Sequence, residues 1–282
     1  MSTRELLGAN DTRFHALAGG FSAEEWSQQS LCDAWSNHDV LAHLVIGYRA
    51  GPGVVASEML RHGGSFNRAN AALARALTAS RSPDELLDEF ERLIDHPRGL
   101  GRVFPPRLLL GDHITHELDI LFALDREPAI PVNALVAVLN TQVAVPNPFV
   151  PAFRNSRGLR LAVTDADWTH GERGPLVEGR AAELVSALGN RPRVLARLRG
   201  DGVDVLVSRV ENRGATLLVG SGGTVVRERY HPGCTRQPAG DQQPPPARDT
   251  GTRSRAPNRA RTQLKGRATV TPATANNGRL HE

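Results

Sequence analysis

The chain has 282 residues, 40% of them hydrophobic and only 5% aromatic, enough for about two domains with packed cores and better suited to a helix-rich interior of Leu, Val and Ala than to an all-β sandwich. No run of about 18 apolar residues appears, which excludes a membrane-spanning helix; the opening MSTRELLGANDTRF is charged throughout, lacks the apolar core of a secretory signal, and predicts a cytoplasmic protein. The net charge of +4 misleads, because from His231 onward nine basic residues face three acidic ones, a net +6, leaving residues 1–230 at −2.

The first half reads as helices. Leu6, Leu7, Phe14 and Leu17 recur at helical spacing within residues 3–18, and Gly19-Gly20 ends the segment. Ser22 with Glu25 forms a capping box for a short helix through Trp26, and Ser36 with Asp39 caps a helix from Asn37 to Tyr48. Gly51-Pro52-Gly53 breaks the chain before Val54–Leu60. Further helices are expected over Phe66–Thr78, from Ser82-Pro83 with Leu86, Leu87, Phe90 and Leu93 on one face, from Pro105-Pro106 to Ala123, and over Val132–Val143.

Pro146, Pro148 and Pro151 mark a boundary, and the pattern then changes. Gly158–Thr164 alternates like a strand, Val177–Leu188 reads as a helix stopped by Gly189-Asn190, and Val203–Val207 and Thr216–Val219 are strand candidates. The expected organisation is therefore a helical bundle over residues 1–145, a small α/β domain over 152–230 and a disordered basic tail over 231–282. The tail, with QQPPPARD and GTRSRAPNRART, has too little apolar surface to offset its ordering entropy. It has no aromatic residues for base stacking, so nucleic-acid binding is a minor expectation that rests on its charge alone. Cys32 and Cys234 lie far apart, which argues against a disulfide, and no Cys-x-x-Cys zinc motif is present.

Histidine 43 sits among Val40, Leu41 and Leu44 on a face that reads as core. A buried, hydrogen-bonded histidine is the plain reading; a metal ligand is the sharper one. The segment LLLGDHITHELDIL, residues 108–121, supplies partners. Asp112 and His116 stand at i and i+4 on one helix face, and Asp119 follows three residues later beside it. A carboxylate and an imidazole one turn apart, joined by His43 from another helix, give three ligands and leave positions open for water or substrate. Mixed nitrogen and oxygen donors suit zinc, with nickel or iron as alternatives. His113 shares the helix at i and i+3 with His116, and Asp39 offers itself either as a hydrogen-bonding partner for the His43 ring or only as a cap.

The segment WSQQSLCDAWSNHDVLAHL, from Trp26 to Leu44, resembles the opening signature of the mycothiol-dependent maleylpyruvate isomerase family, part of the DinB-like group of metal-binding helical bundles. HELDILFALDREPAIP resembles that family's His-x-x-Asp stretch through His116 and Asp119, and TDADWTHGERGPLVEGRAAELVSALGNR resembles its C-terminal domain, so the likeness runs over about residues 5–207. It implies an N-terminal DinB-like four-helix bundle followed by a small α/β domain. It also implies a divalent metal held by His43, Asp112 and His116. Asp112 stands where the family has a glutamate, so its reach is shorter by one methylene and His113 is the alternative third ligand.

The chemistry implied is thiol-assisted. The thiolate of mycothiol adds to an activated double bond, rotation follows about the temporary single bond, and the thiol leaves; a bound cation favours the thiolate. The resemblance thus points to a metal- and mycothiol-dependent isomerase, or a thiol transferase, acting on a small electrophile such as an unsaturated keto-acid. A non-catalytic metal- or thiol-binding module is the alternative. Trp26 and Trp35 either line the pocket or pack helix ends, Cys32 reads as a packed residue rather than a nucleophile, and Arg180 and Arg193 are candidate partners for a substrate carboxylate.

Overall fold

A computed structural model describes residues 1–33, 35–147 and 150–211, together with the backbone of two further strands, 216–219 and 225–228. The expected tail, residues 231–282, lies outside them. The described residues belong to one compact unit, Met1–Pro238. Among them, no helix is long and apolar enough to cross a membrane.

Helices dominate, and their starts follow side-chain chemistry. Thr3–Ala18 (α1), Ala23–Ser27 (α2), Asn37–Arg49 (α3) and Pro83–Asp95 (α6) each open on a serine whose hydroxyl accepts from the N3 backbone N–H. In each, the N3 acid returns a bond to the cap N–H, so two orphan donors are satisfied at once. Between α3 and α6 lie Pro52–Arg61 (α4) and Phe66–Thr78 (α5). Gly99–Val103 (α7) precedes Pro106–Ala123 (α8), which opens on a proline at its first helical position. Val132–Ala144 (α9) and Ala152–Ser156 (α10) complete the helical part.

Four of these helices close a ring: α1 packs on α8, α8 on α3, α3 on α6 and α6 on α1. Its interior is filled by Leu7, Phe14, Leu41, Leu44, Leu86, Phe90, Leu110 and Ile114, all essentially without solvent contact. Phe14 meets Phe90 edge to face with centroids 6.1 Å apart, the geometry that the ring quadrupoles favour. α5 packs against the outside of α3, and α9 against α8. The segment at α7 is stitched to the end of α3, where the Arg98 and Leu100 amides donate to the Tyr48 and Ala50 carbonyls at 2.9 and 2.8 Å. Only glycine fits at position 99, with φ at +47° and a Cβ that would fall 2.2 Å from the Ala50 oxygen.

Past the proline-rich boundary, Arg160–Val163 (β1), Thr169–His170 (β2) and Leu176–Gly179 (β3) form a sheet of order β2-β1-β3. β1 runs antiparallel to β2 and parallel to β3, with Leu161 opposite His170 and Val177. Ala181–Leu188 (α11) follows β3, then a short 3-10 helix at Pro192–Arg197 and Val203–Glu211 (α12). Thr216–Val219 (β4) pairs antiparallel with Val225–Glu228 (β5).

Two sequence expectations are corrected. Val177–Leu188 is not one helix: its first three residues belong to β3, and α11 starts only after Arg180, where Asp165 accepts from the Ala181 amide at 2.8 Å and Glu183 from the Arg180 amide at 2.9 Å. Val203–Val207 is helical rather than extended, because the segment buries Leu206 and Val210 at helical spacing against α11 and the 3-10 helix. Tertiary contact there overrides a β-branched run.

Candidate metal centre

α8 is enclosed on every side, with residues 113–122 all buried. Such a helix is normally apolar all round, yet this one carries His113, His116, Glu117 and Asp119. Buried charges require partners, and each face of α8 finds its own. Toward α1, His113 Nδ1 lies 2.9 Å from Asp11 Oδ2, and Tyr48 donates to that same oxygen. Glu117 takes Arg13 at 2.6 Å and Asn10 at 3.2 Å; burial pushes its carboxyl up to about 7 despite the guanidinium.

The other face holds the predicted trio. His43 from α3 and Asp112 and His116 from α8 each present a donor atom, all within 4.8 Å of one another. Nε2 of His43 lies 3.2 Å from Asp112 Oδ2, and Nε2 of His116 lies 3.6 Å from Asp112 Oδ1. The two rings cross edge to face, centroids 4.5 Å apart. Trp35 packs on both, at 5.0 and 5.7 Å.

Each imidazole is held from behind. His43 Nδ1 sits 3.1 Å from Asn70 Oδ1, and His116 Nδ1 sits 3.0 Å from Asp119 Oδ2. Both partners are acceptors, so hydrogen-bond logic assigns the ring proton to Nδ1 and leaves the Nε2 lone pairs facing the Asp112 carboxylate. Lone pairs pointed at a carboxylate are unfavourable unless a cation or a proton lies between them. His43 Nε2 makes no hydrogen bond. For His116, burial and then the neighbouring His43 depress the imidazolium. Burial opposes ionisation of Asp112, but His43, followed by His116, holds its carboxyl well below the usual range. Two imidazole nitrogens and one carboxylate oxygen within 4.8 Å of one another fit a divalent cation, and their anchored Nδ1 atoms are what metal-bound histidines use to fix their orientation.

Asp119 is the hub behind the trio. Arg191, the residue just after the α11 stop signal, donates Nε to Oδ1 at 2.7 Å and Nη2 to Oδ2 at 2.5 Å. Burial works against the carboxylate, yet Arg191 holds it at about 2. Cys32 Sγ also lies 3.3 Å from Oδ2. Cys32, His116 and Asp119 form a second cluster of metal-binding types, but the guanidinium already supplies the positive charge there, 3.5 Å from the sulfur.

Other candidates are placed elsewhere. His113 faces α1, so it stands apart from the trio. Asp39 does not reach His43: Oδ2 accepts from the Ser36 amide and hydroxyl at 3.0 and 2.8 Å, and Oδ1 accepts from Thr78 at 3.0 Å. Trp26 packs on Phe21 at 5.2 Å. Trp168 donates to Asn140 of α9 at 2.8 Å and joins the α/β part to the bundle. Arg180 pairs with Glu127 and Asp165 on the surface, and neither it nor Arg193 lines the cavity beside the trio. That cavity, about 350 Å³, is lined instead by Arg107 and Arg191 together with the trio and Trp35. Sequence reasoning missed Asn70 and Arg191; the only signal for Arg191 was its position in the C-terminal segment that carries the resemblance.

Residues 7–120 match the family model described as the mycothiol maleylpyruvate isomerase N-terminal domain. The similarity to that model is confined to this part of the chain. The matched segment contains the trio, Asn70 and Asp119 but not Arg191. Two solved structures are also similar to the chain: a crystal structure of the mycothiol-dependent maleylpyruvate isomerase, at 13% identity and TM-score 0.42, and one of a histidine-to-alanine mutant of that enzyme, at 14% and 0.41. Each alignment covers 81% of this chain and 95% of the other. No curated protein matches.

Proposed function

We propose that the protein is a metal-dependent enzyme that uses mycothiol to isomerise, or to transfer the thiol onto, a small electrophile. His43, Asp112 and His116 would hold the cation, and their mixed nitrogen and oxygen donors favour zinc. When bound, the cation lowers the pKa of a thiol beside it, so that the nucleophilic thiolate exists near neutral pH.

The observation that carries this reading is the pair of imidazoles anchored through Nδ1, with their Nε2 atoms turned on one carboxylate beside a cavity. The family model that residues 7–120 match supports the thiol. The chain's own residues do the remaining work. Asn70 and Asp119 fix the rings, Trp35 shields them from water, and Arg191 keeps Asp119 ionised so that it accepts the His116 proton. Cys32 is buried with its thiol on Asp119 and is not the nucleophile. Such chemistry needs a reduced thiol pool, so the reading carries with it a cytoplasmic location.

The test is elemental analysis of the purified full chain and of His116→Ala, followed by thiol-conjugation and isomerisation assays with mycothiol. One equivalent of metal in the wild type, lost in the variant, with turnover abolished by His43→Ala, is the expected result. A metal-free wild type after growth in metal-replete medium would overturn the reading. Retained metal without turnover for any thiol would reduce it to a non-catalytic binding module.

A further inference from the structure

The walls of the cavity speak to what enters it. Val55 and Met59 of α4, Phe66 and Leu73 of α5, and Phe104 and Leu108 around the start of α8 face it, and apolar surface dominates. Among the described lining residues the fixed charges are Asp112, Arg107 and Arg191. Arg191 is committed: besides its two bonds to Asp119, Nη1 donates to the Gly189 carbonyl at 2.6 Å. Asp112 is negative and faces the trio. That leaves Arg107, exposed at the first turn of α8, as the cation that a substrate anion could meet. The other polar lining consists of uncharged groups such as Thr141 and Gln142.

A substrate with two carboxylates would have to leave water with one of them uncompensated, which is strongly unfavourable. We propose that the electrophile is an apolar molecule bearing at most one negative charge, seated against α4 and α5, and not a small dicarboxylate. The inference rests on the proposed function in taking this cavity as the electrophile's site, with the trio reserved for the thiol.

Calorimetric titration of the metal-loaded full chain with unreactive saturated probes tests it independently of turnover. Benzylacetone is expected to bind at least about tenfold more tightly than succinate. Met59 lies on a helix that buries none of its residues, so Met59→Arg leaves the core intact; it should weaken benzylacetone by about tenfold and improve succinate. Met59→Ser, which adds no charge, should weaken benzylacetone without helping succinate. Succinate binding as tightly as benzylacetone, or no binding of benzylacetone, overturns the proposal. Binding of benzylacetone with no turnover for any thiol would sink the proposed function and leave the preference for apolar ligands standing.

Discussion

Asn70 shows how a neutral amide decides a histidine's chemistry. Its Oδ1 is the partner of His43 Nδ1 and directs Nε2 to Asp112. Asn70→Ala should lower metal affinity by about tenfold or more, as loss of a ligand-orienting partner does, and cost about 1–3 kcal/mol for the unsatisfied ring nitrogen; chelator competition and urea denaturation would measure the two. The residue scale also marks where sequence reading stops. That Asp112 and His116 come together was legible because one helix fixes their spacing. Asn70 and Arg191 were not, since they meet their partners across 27 and 72 residues. Of the two roles open to Asp39, the cap is the one it takes, because an acid three residues after a serine cap is satisfied locally, before any ring is considered.

At the scale of elements, the caps were readable from short patterns. Ser36→Ala should destabilise the protein by about 1 kcal/mol, seen as a lowered denaturation midpoint, since it removes the acceptor for the Asp39 amide at the start of the helix that carries His43. The capping acids also give a pH dependence. The Ser82 backbone N–H, more than any other cause, holds Glu85 below its ordinary value. A depressed carboxyl contributes stability above its unfolded pKa and loses it as pH falls through the folded one. Glu85→Gln should therefore show a shallower loss of stability below about pH 4 than the wild type in acid titrations at fixed urea. The elements read wrongly lie past the proline boundary. There short segments rely on distant partners: β3 needs β1 beside it, and α12 needs α11 to give its valines a helical face.

At the scale of the whole molecule, the Arg191–Asp119 pair is a buried ionic tie between the α/β part and the bundle, and it ends one residue behind a candidate ligand's ring. Breaking a buried pair from one side leaves an uncompensated charge and costs about 3–5 kcal/mol. Arg191→Met and Asp119→Asn should each lose about that much in chemical denaturation. The double variant should lose clearly less than their sum, because contacting residues are coupled. The helical-bundle-plus-α/β organisation was legible from the change of period at residues 146–151. The tie was not, because nothing local marks Arg191 as the partner of a bundle carboxylate.

α4 is the counterpart to that stiffness. It buries none of its residues, leaves Val54 and Leu60 51% and 81% exposed, and runs from Gly51 to the left-handed pair Gly63-Gly64, all while walling the cavity with Val55 and Met59. The candidate ligands thus sit on a braced wall, α3 and α8, whereas the apolar side of the cavity sits on a lightly held one. Changes that alter which molecules are admitted can accumulate on α4 at little thermodynamic cost, leaving the donor atoms where they stand. Under the proposed function, such a scaffold could exchange one electrophile for another without rebuilding the three-ligand cluster.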